Sequence, residues 1–290
     1  MVELPPEAVG VAIIGWAGKT VFAPLLDEMG RDLAERYSER RRRNTARILA
    51  NAAEKLGGTL ENGGYVSPRV GKLVLDEGSW CDAPVMSEYF GGILAASRSD
   101  DGLDDRGAAW AGLVSRLASY DILVHYVIYA GIRQANLGKD LRLGRNPDRE
   151  QARTYFPFQL DGVTTAMEAI AASGHDDLSA LGTIAASLES LVREGLIDGD
   201  FTLGRADVAS ALGIDADGIG GFAVKPSVSG VQLFLWAHGY GQPITTAFLD
   251  PAVPFEAVED LPEVDAAYSV AAMQKEMAQR LRVERHPESS

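Results

Sequence analysis

The chain has 290 residues, 46% of them apolar, and a formal net charge of -14. It can bury one large or two small cores, it is too apolar to be disordered throughout, and its negative field repels nucleic acid unless positive charge is gathered locally. The single cysteine, Cys81, excludes an intramolecular disulfide and a multi-cysteine zinc knuckle, which fits a reducing cytoplasm.

The most apolar window, residues 9–26, holds Gly10, Gly15 and Gly18, one charge at Lys19, and Pro24. A membrane helix needs about 20 apolar residues. This window falls short, so it reads as a buried helix whose glycines let another helix approach. Insertion into a membrane surface, with Trp16 and Lys19 in contact, is the alternative. The residues before it, with Glu3, Pro5, Pro6 and Glu7, do not resemble a signal peptide. Gly15-Trp16-Ala17-Gly18-Lys19-Thr20 invites a nucleotide reading, but a phosphate loop needs four residues between its glycines. Residues 29–56 read as a helix on the spacing of Leu33, Tyr37, Ile48, Leu49, Ala52 and Ala53. Arg40, Arg41, Arg42 and Arg43 sit in its middle and point in all directions around it. They form a solvated connecting surface or a contact for acidic lipid or an acidic partner. Glu39 and Arg43 have the spacing of an ion pair.

Residues 57–64 form a turn. Pro68 opens a helix through Val70, Leu73, Val74 and Leu75 that ends at Gly78. Asp82 is the expected N-cap of the next helix, with Pro84 in its first turn. Met86, Tyr89, Phe90, Ile93 and Leu94 make that helix's apolar face. Gly91 and Gly92 within it each cost about 1 kcal/mol relative to Ala, which points to another backbone packed against them. Asp100, Asp101, Asp104 and Asp105 follow in an acidic loop. They lack calcium-loop spacing, and Asp104 or Asp105 is expected to cap the helix that follows, with Arg106 pairing to a carboxylate such as Glu88. That helix is read as continuous over 105–133, on the stripe Trp110, Leu113, Val114, Leu117, Tyr120, Val124, Val127 and Ile128. Asp121 and His125, four apart, are expected to form a polar packing pair. Ser97, Ser119 and Cys81 lie in no nucleophile motif, and His175, His238 and His286 have no metal-ligand spacing.

Residues 138–154, with Lys139, Arg142, Arg145, Arg149, Gly144 and Pro147, read as a linker. A short helix with Val163, Met167 and Ile170 follows. The next begins at Asp177, carries Leu181, Ile184, Leu188, Leu191 and Val192, and closes at Gly195, a fitting C-terminal cap. A small helix over 204–212, a strand over 222–225 and an apolar helix over 228–238 complete the second half. Gly218-Ile219-Gly220-Gly221 is no dinucleotide fingerprint, because a strand follows it. The order of these elements is that of a winged helix. Its would-be recognition helix has Arg193 against Asp177, Glu189 and Glu194, the wrong sign for a DNA groove. Beyond Asp250 the chain is acidic, with Glu256, Glu259, Asp260, Glu263 and Asp265. A terminal amphipathic helix over 264–283 carries Val270, Met273, Met277 and Leu281.

One family resemblance runs through the centre of the chain. It rests on Val66-Ser67-Pro68, the Asp82-Ala83-Pro84 step before Glu88-Tyr89-Phe90, Leu94-Ala95-Ala96-Ser97, Asp104-Asp105-Arg106-Gly107 with Trp110, Leu113 and Leu117, and Tyr120-Asp121 followed by His125-Tyr126. In the second half the strand leading into Ser227, Gly230 and Leu233 is similar too. Residues 66–239 thus resemble the Abi-alpha family, prokaryotic proteins grouped with abortive phage infection. The resemblance implies a mainly helical defence protein, and it transfers no catalytic residue.

The expected architecture is mainly α, a helical N-terminal half followed by a winged-helix-like α/β half. The expected divisions are 1–56, a central helical domain at 57–137, the linker, 155–249, and an acidic tail at 250–290. The expected function is non-enzymatic anti-phage defence by binding or oligomerisation. A membrane-perturbing effector using the apolar N-terminal segment and a DNA-binding regulator are the alternatives. No cofactor, metal or catalytic residue is expected. Asp104, Asp105, Arg106, Trp110, Asp121 and His125 are the candidate structural or interaction residues. A second copy, a phage or host protein, or a membrane surface is the expected partner of a cytoplasmic protein, and nucleic acid is disfavoured.

Overall fold

The computed structural model describes residues 39–57, 64–157, 177–204, 221–241, 245–255, 264 and 267–275. The apolar window with Trp16 and Lys19, the helix expected around Val163 to Ile170, residues 205–212 of the small helix and most of the terminal helix lie outside them. The described residues are mainly helical with small antiparallel sheets. The chain divides into two compact units, one of Met1–Ile122 with Leu233–Pro243, the other of Leu123–Gln232 with Ile244–Ser290.

In the first unit, α1 (Glu39–Leu56) buries Asn44, Ile48, Leu49 and Ala52 along one stripe. The hairpin-like ribbon β1 (Tyr65–Val66) and β2 (Arg98–Ser99) is antiparallel, with Val66 opposite Arg98. Between its strands lie α2 (Pro68–Gly78) and α3 (Pro84–Ala96). Both start on proline, whose missing N–H is no loss in a first turn. α3 buries every residue of its expected apolar face. Gly91 lies against the backbone of α1 at Ile48 and Ala52, and Gly92 lies against the carbonyl of Ala237, so close backbone packing does account for both glycines.

Two local expectations are corrected in this unit. The N-cap of α3 is Ala83, held extended by the following proline. Asp82 instead faces α1: Arg40 Nε donates to its Oδ1 at 2.6 Å and Asn44 Nδ2 at 3.0 Å. The long helix over 105–133 is two helices, α4 (Gly107–Val114) and α5 (Ser119–Asn136). The apolar stripe runs across the break, but Ser115 Oγ folds back to donate to Gly112 O at 3.1 Å. Asp121 then receives the N–H of Ala118 at 3.1 Å. Asp121 therefore sits in the first turn of α5 and closes it from within, the reach-back half of a capping box.

The second unit takes α5 from Leu123 onward. Residues 138–154, expected as a linker, contain α6 (Asn146–Gln151) and the first residue of β3 (Thr154–Pro157). Asp148 anchors that segment by accepting the N–H of Arg142 at 2.9 Å. α7 (Asp177–Arg193) follows, then β4 (Thr202–Leu203), β5 (Gly221–Val224), α8 (Val228–Ala237), a 3-10 turn at Thr245–Leu249, and β6 (Tyr268–Ser269). The divisions between the units fall within α5 and α8. The sheet order is β4-β5-β3-β6, antiparallel throughout. Phe156 on β3 stacks on Phe222, its register partner on β5, with ring centroids 4.9 Å apart. α7 ends as expected at Gly195, whose φ of +68° suits a residue without a side chain. The N–H of Gly195 returns to Val192 O and that of Leu196 to Leu191 O, a Schellman closure. Among the described residues no helix is long and apolar enough to cross a membrane.

Candidate functional site

The run that carries the family resemblance spends its polar residues on ties between backbone segments. Asp104 holds Arg106 in a forked pair, with Nε donating to Oδ1 at 2.9 Å and Nη2 to Oδ2 at 2.6 Å. Asp104 Oδ1 also accepts the N–H of Arg106 at 3.1 Å. The side-chain hydrogen bond from Arg106 holds the Asp104 carboxyl below the usual range, outweighing its partial burial. Arg106 therefore does not reach Glu88, which is bound by Lys55 at 2.5 Å. Asp105 accepts from Arg69 at 2.7 Å, which links the loop to the start of α2. The N-cap of α4 is Arg106, without a side-chain cap bond, so neither aspartate caps it. Among the described residues, no three His, Cys, Asp or Glu side chains are grouped as metal ligands would be. Trp110 is half-buried, its ring 6.4 Å from that of Trp236.

The α1 arginines are also partly spent internally. Arg41 Nε donates to Ser79 Oγ at 3.1 Å while its guanidinium lies 3.8 Å over the Trp80 ring. Arg40 pairs with Asp82, and Arg47 donates to Asp82 O at 3.1 Å. Arg42 and Arg43 are exposed, and Glu39 and Arg43 form no ion pair among the described residues. The buried Asn44 completes the tie by donating to Ser79 O at 3.1 Å. Asn44→Ala leaves that carbonyl unpaired and is expected to lower the unfolding free energy by about 1–3 kcal/mol, read as a lower urea midpoint at unchanged slope.

In the second unit His125 is wholly buried. Its Nε2 lies 3.2 Å from Gly230 O, and since a carbonyl only accepts, that nitrogen carries the proton. The imidazole packs on the Tyr129 ring at 4.5 Å between centroids. Tyr129 is wholly buried too, and burial pushes its phenol far above the ordinary value, against the opposing hydrogen bonds of Ser227. Its hydroxyl donates to Leu196 O at 2.5 Å and accepts the N–H of Ser227 at 3.1 Å. Ser227 in turn caps α8, its Oγ accepting from the N–H of Gly230 at 3.0 Å and donating to Gly195 O at 2.7 Å. A general base must reach a substrate proton. This imidazole is turned instead to a backbone carbonyl, and the tyrosine fastens the end of α7 to the start of α8.

A second polar cluster was not picked out from the sequence. Lys225, directly after β5, has a side chain only 8% exposed and is ringed by carboxylates. Asp198 lies at 3.0 Å, Glu150 at 3.5 Å and Asp200 at 3.7 Å. Arg153 adds a second cation, 2.8 Å from Glu150 and 2.5 Å from Asp200. A cleft of about 470 Å³ opens beside it, lined by Pro147, Gln151, Val270, Ala271 and Gln274 together with Glu150 and Arg153. The arginine's hydrogen bond holds the Glu150 carboxyl low. Burial works to raise the Asp198 carboxyl, but the hydrogen bonds of Lys225 and Asp200 outweigh it and leave it low. Burial likewise opposes the charge of Lys225, and the surrounding carboxylates more than offset this and raise it. The members come from positions 150, 153, 198, 200 and 225. No local motif joins them, and the one available hint was a lysine ending an apolar strand.

Lys225→Ala is expected to lower the unfolding free energy by about 1–3 kcal/mol, less than for a fully buried pair because Glu150 and Asp200 can turn to water. The depressed carboxyls set the acid limb. Their contribution is complete above the ordinary values of 4.5 for Glu150 and 3.8 for Asp198 and is lost as the pH falls below them. The raised lysine sets the alkaline limb, complete below 10.5 and lost as the pH climbs through its folded value. Melting temperature against pH should therefore fall at both ends in the wild type and fall less in Lys225→Ala.

Comparison with protein-family models, with curated proteins and with solved structures finds no match to this chain.

Proposed function

We propose that this chain is an anti-phage protein of the Abi-alpha kind, acting by binding and self-association and making no bond of its own. The biological half of this reading rests on the resemblance over 66–239. The mechanistic half is carried by one observation: Asp104, Asp105, Asp121 and His125, the polar residues of the resembling run, are turned to guanidinium groups and backbone atoms of the same unit. A catalytic carboxylate or imidazole must instead face a space where a reacting atom can sit.

The second unit is read as a winged-helix-like module. In support, β4 and β5 pair as a wing would, and β3 lies on the far side of β5. Its helix α7 carries Glu189 and ends at Arg193 before Glu194, so the module is assigned to protein contact rather than a DNA groove.

Efficiency of plating on cells with and without the gene tests the assignment. Cells carrying the wild type are expected to plate phage poorly, and D104N and D105N chains, whose folds keep the remaining ties, are expected to protect equally. Equal plating with and without the wild-type gene, across a broad phage panel, overturns the biological half. Loss of protection in a folded D104N or D105N chain overturns the mechanistic half.

A further inference from the structure

The surface of α1 carries Arg40, Arg41, Arg42, Arg43 and Arg47, and Arg41 lies over Trp80 in the turn after α2, a residue 68% exposed. On a chain with a net charge of -14 this is a local reversal of sign. Asp82 meets Arg40 and Asn44, while Arg42 and Arg43 pair with no carboxylate among the described residues. Arg41, lying over Trp80 and bonded to Ser79, holds the indole in place. An anchored tryptophan among arginines is the composition of an interface centre rather than of a solvated surface.

The chain also carries the complementary chemistry. Residues 256–265 read Glu-Ala-Val-Glu-Asp-Leu-Pro-Glu-Val-Asp, five carboxylates with no base, interleaved with Val258, Leu261 and Val264. The acids suit the guanidinium groups, and the apolar residues suit the indole. We propose that residues 256–265 of one copy dock on the Arg40–Arg43 and Trp80 surface of a second copy; the inference deepens, and rests on, the self-association part of the function proposed above. Reciprocated across a two-fold axis, the contact makes a dimer. A nucleic acid fits this surface less well. It carries a charge about every 1.7 Å of duplex and runs beyond the patch onto a chain of its own sign, and four consecutive arginines splay around a helix without forming a track.

Sedimentation velocity of the full chain tests the docking. Wild type is expected to self-associate at tens of micromolar in low salt and to dissociate as salt is raised. R42E/R43E, at exposed positions, and E259R/D260R/E263R are each expected to weaken association about tenfold or more by placing like charges together. Mixing these two reversed chains is expected to restore it. A wild type that stays monomeric, reversed chains that associate like wild type, or a mixture that fails to recover each overturns the proposal. So does an R42E/R43E chain that keeps its self-association but loses binding to a labelled single-stranded oligonucleotide or to phosphatidylserine vesicles. Reversed chains that associate like wild type overturn the docking alone, a monomeric wild type overturns self-association with it, and plating reads the defence role, so the failures are distinguishable.

Discussion

Gly92→Ala is expected to lower the unfolding free energy by about 3 kcal/mol, at the upper end of what overpacking a core costs. The added methyl would fall on the carbonyl of Ala237, a backbone atom of α8 that cannot swing aside. The helix propensity of alanine returns only about 1 kcal/mol of this. A domain's whole stability is about 5–15 kcal/mol, so the loss is a large fraction of it. The neighbouring positions grade the effect. At Gly91 the methyl would meet Asn51 Cβ at 2.7 Å and Ile48 O at 2.9 Å, so Gly91→Ala destabilises as well, but less. At Gly112 the nearest atom is Leu73 Cδ2 at 3.9 Å, and at Gly182 nothing lies within 4 Å. Alanine at those two helical sites is expected to be neutral or to stabilise by up to about 1 kcal/mol. Urea unfolding of the four variants checks the order, and a Gly92→Ala chain as stable as Gly112→Ala would break the close-packing account of α3.

Tyr129→Phe is expected to cost about 2–4 kcal/mol, because a buried carbonyl, Leu196 O, and a part-buried N–H, that of Ser227, lose the same hydroxyl. Shape is conserved in this change, so the loss measures the hydrogen bonds and not a cavity. Gly230→Ala attacks the same point from the other side, since its methyl would fall on the Tyr129 hydroxyl and Leu196 O. The double variant is expected to be less destabilised than the sum of the two, because removing the hydroxyl makes room for the methyl. Strict additivity in that cycle would mean the two residues do not meet.

Much of the helical framework was legible from local signals. Prolines 68 and 84 marked helix starts, Gly195 marked a helix end, and the glycine pair in α3 pointed correctly to backbone contact. What escaped was set by partners distant in sequence or by competing local readings. The break between α4 and α5 lay hidden under an unbroken apolar stripe, with neither glycine nor proline at residues 115–118. Its signal was Asp121, three residues after Ala118, which reads equally well as the lower half of an i, i+4 pair with His125. Asp82 looked like a cap because it precedes Pro84, yet its carboxylate belongs to Arg40 and Asn44, about forty positions earlier. The Lys225 network left only the hint of a lysine ending an apolar strand, since charges brought together from distant positions leave no spacing in the chain. For the same reason the individual partners of Asp104, Asp105, Asp121 and His125 did not show in the sequence.

The account stands on the polar residues of the resembling run holding helices and loops in place. The direct measurement is protection against phage plotted against unfolding free energy for two groups of variants. One group alters Asp104, Asp105, Asp121 and His125; the other changes packing alone, with Gly91→Ala, Gly92→Ala and Gly230→Ala. The account predicts a single curve, with protection following the folded fraction whichever group is changed. A polar variant that is fully folded yet unprotective, while a packing variant of equal stability still protects, would contradict it.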